Sequence, residues 1–214
     1  MLNPTTFPSL YDLKLKNNKP LIICDADEVI FDFMTTFEKY LITNGLSFSW
    51  KSYALEGNIL DKKNKPIDKD FIKNIINDFF KTHTYTMNLI KDAKDSLKKL
   101  KEIYNIIILS NIPFEFYDQR AQALKKHDIN FSFYANQGPK GKAIKQISKQ
   151  LTNKLWFIDD SPYQISSVKS QEKSIKTILF ISNIKLKKLI NHKKCWDYFS
   201  NKWKNNEKIL FMRR

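Results

Sequence analysis

Two carboxylates, Asp25 and Asp27, directly follow the apolar run 21–24 of the sequence. Such a run is typical of a strand buried on both faces of a parallel sheet. Ligands bind beyond the carboxyl ends of the strands in open α/β sheets, so both side chains are expected at the floor of a crevice. There they could supply a nucleophile, a general acid or a metal site. Taken alone, the pair fits an ordinary acidic turn equally well.

Three further polar clusters follow apolar segments or precede a predicted helix. They are Ser110 and Asn111 after the run 106–109, Lys140 in a glycine-containing loop, and Asp159 and Asp160 after the run 155–158. Neighbouring parallel strands would bring these chain segments to one edge of the sheet. Each cluster also has a structural interpretation, because Ser, Asn and Asp are common helix caps and the chain has many surface lysines.

In this order and spacing the clusters resemble the four motifs of the haloacid dehalogenase-like (HAD) hydrolase superfamily, over residues 21 to about 181. The family motifs are two aspartates separated by one residue, a Ser or Thr after the next core strand, a Lys, and an acidic pair. The matching residues are Asp25 and Asp27, Ser110, Lys140, and Asp159 with Asp160. Lys140 matches better than Lys142 because it precedes Gly141 at the junction of loop and helix, as the family motif does.

The resemblance implies a phosphatase that works through a covalent intermediate. Asp25 would attack phosphorus and become an aspartyl phosphate. Asp27 would protonate the leaving alcohol and later remove a proton from the attacking water, a form of help worth roughly 100-fold to 10,000-fold.

The resemblance also implies a phosphate site and a Mg²⁺ site. Ser110, Asn111 and Lys140 would bind the phosphate. The implied metal ligands are Asp25, the main-chain carbonyl of Asp27, and Asp160, with Asp159 supporting them. A divalent ion of this kind offsets the repulsion between an anionic nucleophile and an anionic phosphate.

Two positions depart from the family pattern: Glu28 replaces a common Gly, and Gln164 replaces a common Asp. The second change leaves fewer carboxylates around the metal, so the coordination is expected to differ in detail. Asp27 distinguishes the chain from dehalogenases and ion pumps of the superfamily, and indicates a phosphatase or a phosphomutase. Residues 27–33 are similar to monophosphate-specific deoxyribonucleotidases, which makes a nucleoside monophosphate the leading specific substrate. A non-catalytic phosphate-binding or scaffold protein is the alternative from another class.

Alternating strand and helix patterns predict an α/β fold, with a Rossmann-like three-layer core around a parallel sheet. Helical patterns also occur in an insertion before the second core strand, and the resemblance implies that this insertion is a small, mainly helical cap. The predicted division is 1–32 for a lead-in and the first core strand, 33–88 for the cap, 89–184 for the remaining core, and 185–214 for a basic helical tail. Phe33, Phe37 and Trp50 could line a leaving-group pocket under the cap, or simply pack the cap against the core.

The formal charge of +15 comes from 37 basic residues, of which only three are arginines. The lysines are spread along the chain, so nucleic-acid binding is not expected, although Trp196 and Trp203 in the basic tail could stack on bases. No apolar run reaches the roughly 20 residues that span a membrane, and no signal-peptide pattern is visible, so a cytoplasmic enzyme is expected. Its expected partner is a small phosphorylated metabolite, and the sequence leaves the oligomeric state open.

Overall fold

The computed structural model describes residues 5–10, 13, 15, 19–150, 154–190 and 195–213. Nine strands are found there: β1 Thr6–Phe7, β2 Leu21–Cys24, β3 Ser47–Phe48, β4 Ile59–Leu60, β5 Asn105–Asn111, β6 Ser132–Asn136, β7 Leu155–Asp159, β8 Lys176–Phe180 and β9 Tyr198–Ser200. Seven of them form the central sheet, in the order β1-β6-β5-β2-β7-β8-β9. In that sheet β1 runs antiparallel to β6, and all other neighbouring pairs are parallel.

Helices flank this sheet. In the described residues they are α1 Phe33–Thr43, α2 Lys69–His83, α3 Ala93–Leu100, α4 Tyr117–Lys126, α5 Gly141–Ser148, α6 Pro162–Gln171, α7 Ile184–Lys188 and α8 Trp203–Met212. Helix α5 packs against α6, and α3 packs against α8. The predicted α/β, Rossmann-like fold with a mainly parallel sheet is therefore confirmed. The sequence pattern of residues 143–151 predicts a helix; α5 covers this range as far as Ser148, and Leu151 lies outside the described residues.

The central strands follow from their composition. All four residues of β2 are completely buried, and the apolar residues of β5 and β7 are also buried. Polar side chains cap the N-termini of helices that follow these strands. At the start of α1, the side chain of Asp32 accepts a hydrogen bond from the backbone N–H of Thr35. Ser161 caps α6, with Pro162 as its first residue, as expected from the preference of Ser and Pro for those positions.

The segment between β2 and β5 contains α1, α2 and the small antiparallel pair β3 and β4. Aromatic side chains hold its two helices together: the ring centroids of Phe37 and Phe79 lie 5.0 Å apart, and those of Phe33 and Phe79 lie 5.1 Å apart. Offset and edge-to-face aromatic pairs of this kind stabilise beyond their buried area. Helices were predicted here, whereas the β3–β4 pair was not.

The prediction of a helical C-terminal tail is wrong in one respect, because β9 adds a strand to the edge of the sheet beside β8. Trp203 at the start of α8 is completely buried, and its indole N–H donates to the carbonyl of Val29 at 2.8 Å. This tryptophan is therefore a structural residue that cannot stack on bases. No helix among the described residues has the length and apolar character needed to cross a membrane.

Candidate active site

Three neighbouring strands end at the same level of the sheet. Cys24 of β2 pairs with Ile108 of β5 on one side and with Ile158 of β7 on the other. Residues at and just after these positions therefore meet at one edge. A single cavity is lined there by Asp25, Asp27, Ser110, Asn111 and Asp160.

Lys140 lies beneath this cavity and is 1% exposed. Its ammonium nitrogen is 2.8 Å from Oδ1 of Asp25 and 2.7 Å from Oδ2 of Asp159. Burial acts to lower the pKa of Lys140, but the two carboxylates outweigh it and the net shift is upward. The side chain is therefore a permanent positive charge between the two aspartates.

Three carboxylates, those of Asp25, Asp159 and Asp160, lie close enough to hold one metal ion, with oxygen atoms within 4.8 Å of one another. Burial raises the pKa of Asp159, although Lys140 acts in the opposite direction. Burial also raises the pKa of Asp160, and the charges of Asp159 and Asp25 add to the effect. Like charges this close are unfavourable unless a further cation lies among them.

The donor set fits Mg²⁺, which prefers carboxylate oxygens. Asp159 already uses both of its oxygens, because Oδ2 accepts from Lys140 and Oδ1 accepts from the backbone N–H of Ser161 at 2.9 Å. Asp160 instead lines the cavity directly. The arrangement is therefore consistent with Asp25 and Asp160 as direct ligands and with Asp159 as the residue that supports them.

Arg120 of α4 is a site residue that sequence reasoning missed. It is completely buried, its Nη2 lies 2.7 Å from Oδ1 of Asp27, and its guanidinium carbon lies 4.7 Å from the centre of the Phe31 ring. The contact is an ion pair between a buried guanidinium and the Asp27 carboxylate. Burial raises the pKa of Asp27 and the Arg120 charge opposes that rise. One signal was available, since Arg120 is one of three arginines in a lysine-rich chain.

Ser110 is completely buried, and its hydroxyl has no hydrogen-bond partner among the described residues. Because buried hydroxyls normally find a partner, this one is available to a ligand in the cavity. Asn111 is placed differently: its amide donates to the carbonyl of Gly138 at 2.8 Å, and its oxygen accepts from Asn136 at 2.8 Å. These bonds give Asn111 a part in holding the loop, and its predicted contact with phosphate stays a prediction.

The loop that carries Lys140 is fixed by Gln164, at the position where the family commonly has Asp. The amide oxygen of Gln164 accepts from the backbone N–H of Lys140 at 2.8 Å, and its nitrogen donates to the carbonyl of Gly138 at 3.4 Å. A carboxylate could accept but could not donate. Gly141 is required next to Lys140, since a Cβ there would lie 2.3 Å from the carbonyl oxygen of Ser167.

Glu28 has a left-handed backbone with φ of 58°, which explains why Gly is favourable at this position. Its side chain is 4% exposed, and Oε1 accepts from the backbone N–H of Met34 at 2.5 Å, near the start of α1. Burial raises the pKa of Glu28 to about 8. The carboxyl group is therefore largely protonated at neutral pH, where it lines the cavity beside Asp27.

The cavity has a volume of about 540 Å³, within the usual range for small-molecule sites. For Phe33, Phe37 and Trp50 the sequence left open whether they line the pocket or pack the cap against the core, and Phe33 lines the cavity. Phe37 is completely buried behind it and packs on Phe79. Trp50 lies elsewhere, with its indole N–H donating to Glu38 at 2.6 Å.

The structure is similar to solved structures of one superfamily. A haloacid dehalogenase-like family hydrolase from Streptococcus pneumoniae superposes with a TM-score of 0.60 and 15% identity, over 90% of this chain and 98% of that chain. The chain has the fold of the HAD-like hydrolases. A HAD-hydrolase from Bacillus subtilis bound to magnesium has a TM-score of 0.56 and 14% identity, over 91% of this chain and 99% of that one. An L-2-haloacid dehalogenase from Xanthobacter autotrophicus has a TM-score of 0.57 and 10% identity, with the same coverage.

No family model and no curated protein matches the sequence. The predicted resemblance is confirmed for the HAD fold. Within that fold, the four predicted motifs converge on one edge of the sheet, with a nucleophile candidate, an acid candidate, a free hydroxyl and a buried ammonium. These residues are Asp25, Asp27, Ser110 and Lys140.

Proposed function

We propose that this protein is a Mg²⁺-dependent phosphatase that hydrolyses a small phosphomonoester through an aspartyl phosphate. The observation that carries the proposal is the position of Lys140, whose ammonium group lies between Asp25 and Asp159 at the edge where Ser110 has a free hydroxyl. Phosphoryl transfer depends mainly on positioning and on neutralising charge, and this arrangement provides both.

Asp25 is oriented for attack. Its Oδ1 accepts from the backbone N–H of Ala26 at 2.7 Å and contacts Lys140, which leaves Oδ2 to form the bond to phosphorus. As that bond forms, the bond from phosphorus to the leaving oxygen breaks, and Asp27 gives its proton to that oxygen. Water then attacks phosphorus, Asp27 takes back a proton, and the bond from phosphorus to Oδ2 of Asp25 breaks.

The phosphate oxygens need donors that do not move during the reaction. The hydroxyl of Ser110 and the ammonium of Lys140 are both held by buried surroundings, so little reorganisation is required. Mg²⁺, held by Asp25 and Asp160, would supply the remaining positive charge. The residues of this chain then do the proton transfer and the nucleophilic attack.

The presence of Asp27 favours phosphoester cleavage over dehalogenation, although haloacid dehalogenases have the same fold. A halide leaves without a proton, whereas an alkoxide needs one. Asp27 contacts Arg120 through Oδ1 and faces the cavity, so Oδ2 can carry the proton to the leaving oxygen. A general acid in this position would speed cleavage of a phosphoester, whereas release of a halide ion does not require one.

A nucleoside monophosphate is the finer proposal for the substrate. It has the support of the local resemblance at residues 27–33 and of a cavity of about 540 Å³, which has room for a leaving group of that size. The base would stack against Phe33 at the wall of the cavity.

The test is hydrolysis of 4-nitrophenyl phosphate with and without Mg²⁺. We expect activity that requires the ion and is abolished in Asp25→Asn, while Asp118→Asn, an exposed aspartate of α4, serves as the matched control. Asp27→Asn should slow release of the phosphoryl group, so that mass spectrometry detects one covalent phosphoryl group on the protein. Full activity in Asp25→Asn would refute the assignment of the nucleophile.

A further inference from the structure

We propose that the leaving group of the substrate is uncharged and largely apolar, so that the substrate is a monophosphate without a second phosphate or a carboxylate. The inference rests on the proposed phosphatase function and goes on to name the substrate class. It is carried by the wall of the cavity above the catalytic residues.

Apolar side chains form that wall. Five come from the segment between β2 and β5, and one comes from α7 on the other side: Phe33, Met34, Leu55, Ile76, Phe80 and Leu186. A leaving group that enters the cavity exchanges water for these surfaces, and the gain is proportional to its own apolar area. A polyhydroxylated leaving group would instead lose hydrogen bonds to water that these apolar side chains cannot replace.

The charges of the lining residues also favour an uncharged leaving group. Among the described residues that line the cavity there is no Lys, Arg or His, although 37 of the 214 residues of the chain are basic. The ionisable carboxyl groups there are those of Asp25, Asp27, Glu28 and Asp160. The buried ammonium of Lys140 is already paired with two carboxylates. A second anionic group on the substrate would therefore find no counter-charge and would meet acidic side chains.

Tyr53 adds a polar atom without a partner to the lining, besides the hydroxyl of Ser110 and Oδ1 of Asn136 in the described part of the chain. The hydroxyl of Tyr53 is buried and has no hydrogen-bond partner, and the residue lines the cavity. Burial raises the pKa of Tyr53, and the charge of Asp160 adds to the rise. A neutral hydroxyl can donate one hydrogen bond to a heteroatom of an otherwise apolar leaving group.

The same wall disfavours a phosphomutase. A mutase that transfers the phosphoryl group between two hydroxyls of one substrate must hold a bisphosphate, and the second phosphate would lie against the apolar side chains. The wall therefore favours transfer of the phosphoryl group to water.

The first experiment is a ranking of kcat/KM over phosphomonoesters that differ in their leaving groups. We expect phenyl and 1-naphthyl phosphate to exceed glycerol 3-phosphate and glucose 6-phosphate by about tenfold or more, since apolar pockets discriminate on that scale. Thymidine 5′-monophosphate, whose nucleoside is uncharged, should have a kcat/KM similar to those of the aryl phosphates. Fructose 1,6-bisphosphate should be the poorest substrate, and a preference for it would overturn the inference.

The second experiment changes the wall. Ile76→Lys places a cation in α2 where the leaving group would lie, and Ile42→Lys makes the same change at a residue of α1 that is 69% exposed. We expect Ile76→Lys to lower kcat/KM for 1-naphthyl phosphate about tenfold or more and to raise it for the bisphosphate. Ile42→Lys should change neither value. Equal effects of the two variants would contradict the inference.

Failure of the proposed function can be told apart from failure of this inference. If the wild type hydrolyses none of the compounds, the phosphatase proposal fails. The inference can then be tested by binding alone. Calorimetry would measure the dissociation constants of the same compounds for Asp25→Asn in the presence of Mg²⁺. Tighter binding of 1-naphthyl phosphate than of glucose 6-phosphate supports an apolar leaving-group site, and the reverse order refutes it.

Discussion

Replacing Arg120 by Met should destabilise the protein, because it leaves the Asp27 carboxylate without its cation. Removal of one partner from a buried ion pair costs about 3–5 kcal/mol. The Arg120 side chain is completely buried, while that of Asp27 is 18% exposed and keeps some contact with water. We therefore expect the lower end of the range, about 3 kcal/mol.

A double-mutant cycle can show how much of this loss of stability comes from the ion pair between Arg120 and Asp27. In Asp27→Asn the charge of residue 27 is absent, so adding Arg120→Met should cost only the loss of the contact with the Phe31 ring, about 1 kcal/mol. The difference is a coupling energy of about 2 kcal/mol. Urea unfolding at pH 7 without divalent ions would measure all four free energies. Additive effects of the two substitutions would show that the ion pair does not stabilise the fold.

The same variant tests the proposed role of Asp27 as an acid. If Arg120 holds Oδ1 of Asp27, then Arg120→Met should slow cleavage of an alkyl phosphate more than cleavage of 4-nitrophenyl phosphate, since nitrophenolate leaves without a proton. Asp27→Asn should show the same dependence on the leaving group. Arg120→Lys should recover part of the activity toward the alkyl ester. If Arg120→Met slowed cleavage of both substrates equally, the role of Arg120 would be structural only.

Four further predictions concern single positions. Glu28→Gln should flatten the pH dependence of stability. The pKa of Glu28 is about 8 in the folded state, above the ordinary value of 4.5, so between these values the folded protein binds a proton that the unfolded chain does not. The stability that this proton contributes is lost as the pH rises through the folded-state pKa of about 8. The free energy of unfolding of the wild type should therefore fall by roughly 4 kcal/mol more than that of the variant between pH 5 and 9; parallel curves would contradict this. Gly141→Ala should cost about 1–3 kcal/mol in urea unfolding, because its Cβ overlaps the carbonyl of Ser167, and an unchanged value would show that α5 and α6 separate easily. Gln164→Glu should lower stability by about 1–3 kcal/mol, since it loses a donor and turns a carboxylate toward the carbonyl of Gly138, and a neutral result would remove Gln164 from the support of the loop. Mg²⁺ should raise the melting temperature of the wild type but not of Asp160→Asn, and an equal rise in both would place the ion elsewhere.

The centre of the fold could be predicted because its signals are local. The runs 21–24, 106–109 and 155–158 are continuous and apolar, as strands buried on both faces must be, and each ends at a polar residue. The parallel arrangement then determines that their ends meet. Strand positions and the gathering of the motif residues therefore followed from the sequence alone.

The edges of the sheet could not be predicted in the same way. Strand β1 has two residues and β9 has three, too few for a recognisable alternation of burial. Each forms because a partner strand, β6 or β8, offers free backbone groups at that place. That pairing joins segments that are far apart in the chain. Nothing in the local composition of either strand indicates it.

Side chains that reach the site from other elements escaped sequence reasoning for a related reason. Arg120 lies on a helix, ten residues after Ser110, and its type and spacing match no motif. Asn136 ends β6 and donates to both Asn111 and the carbonyl of Gly138. Their importance depends on which surfaces the fold brings together. Composition gave one usable signal, the rarity of arginine, which is favoured over lysine for buried ion pairs.

The charges at the site explain why a divalent ion suits it. Besides the largely protonated Glu28, four carboxylates meet there: Asp25, Asp27, Asp159 and Asp160. The two buried cations Arg120 and Lys140 contact one and two of them respectively. When all four are ionised, two negative charges remain, which is the charge that one Mg²⁺ ion cancels. Without the ion, the fold bears the cost of this repulsion in a buried place. A protein that kept such an arrangement only for stability would gain by replacing it with apolar side chains, so its presence favours a catalytic role.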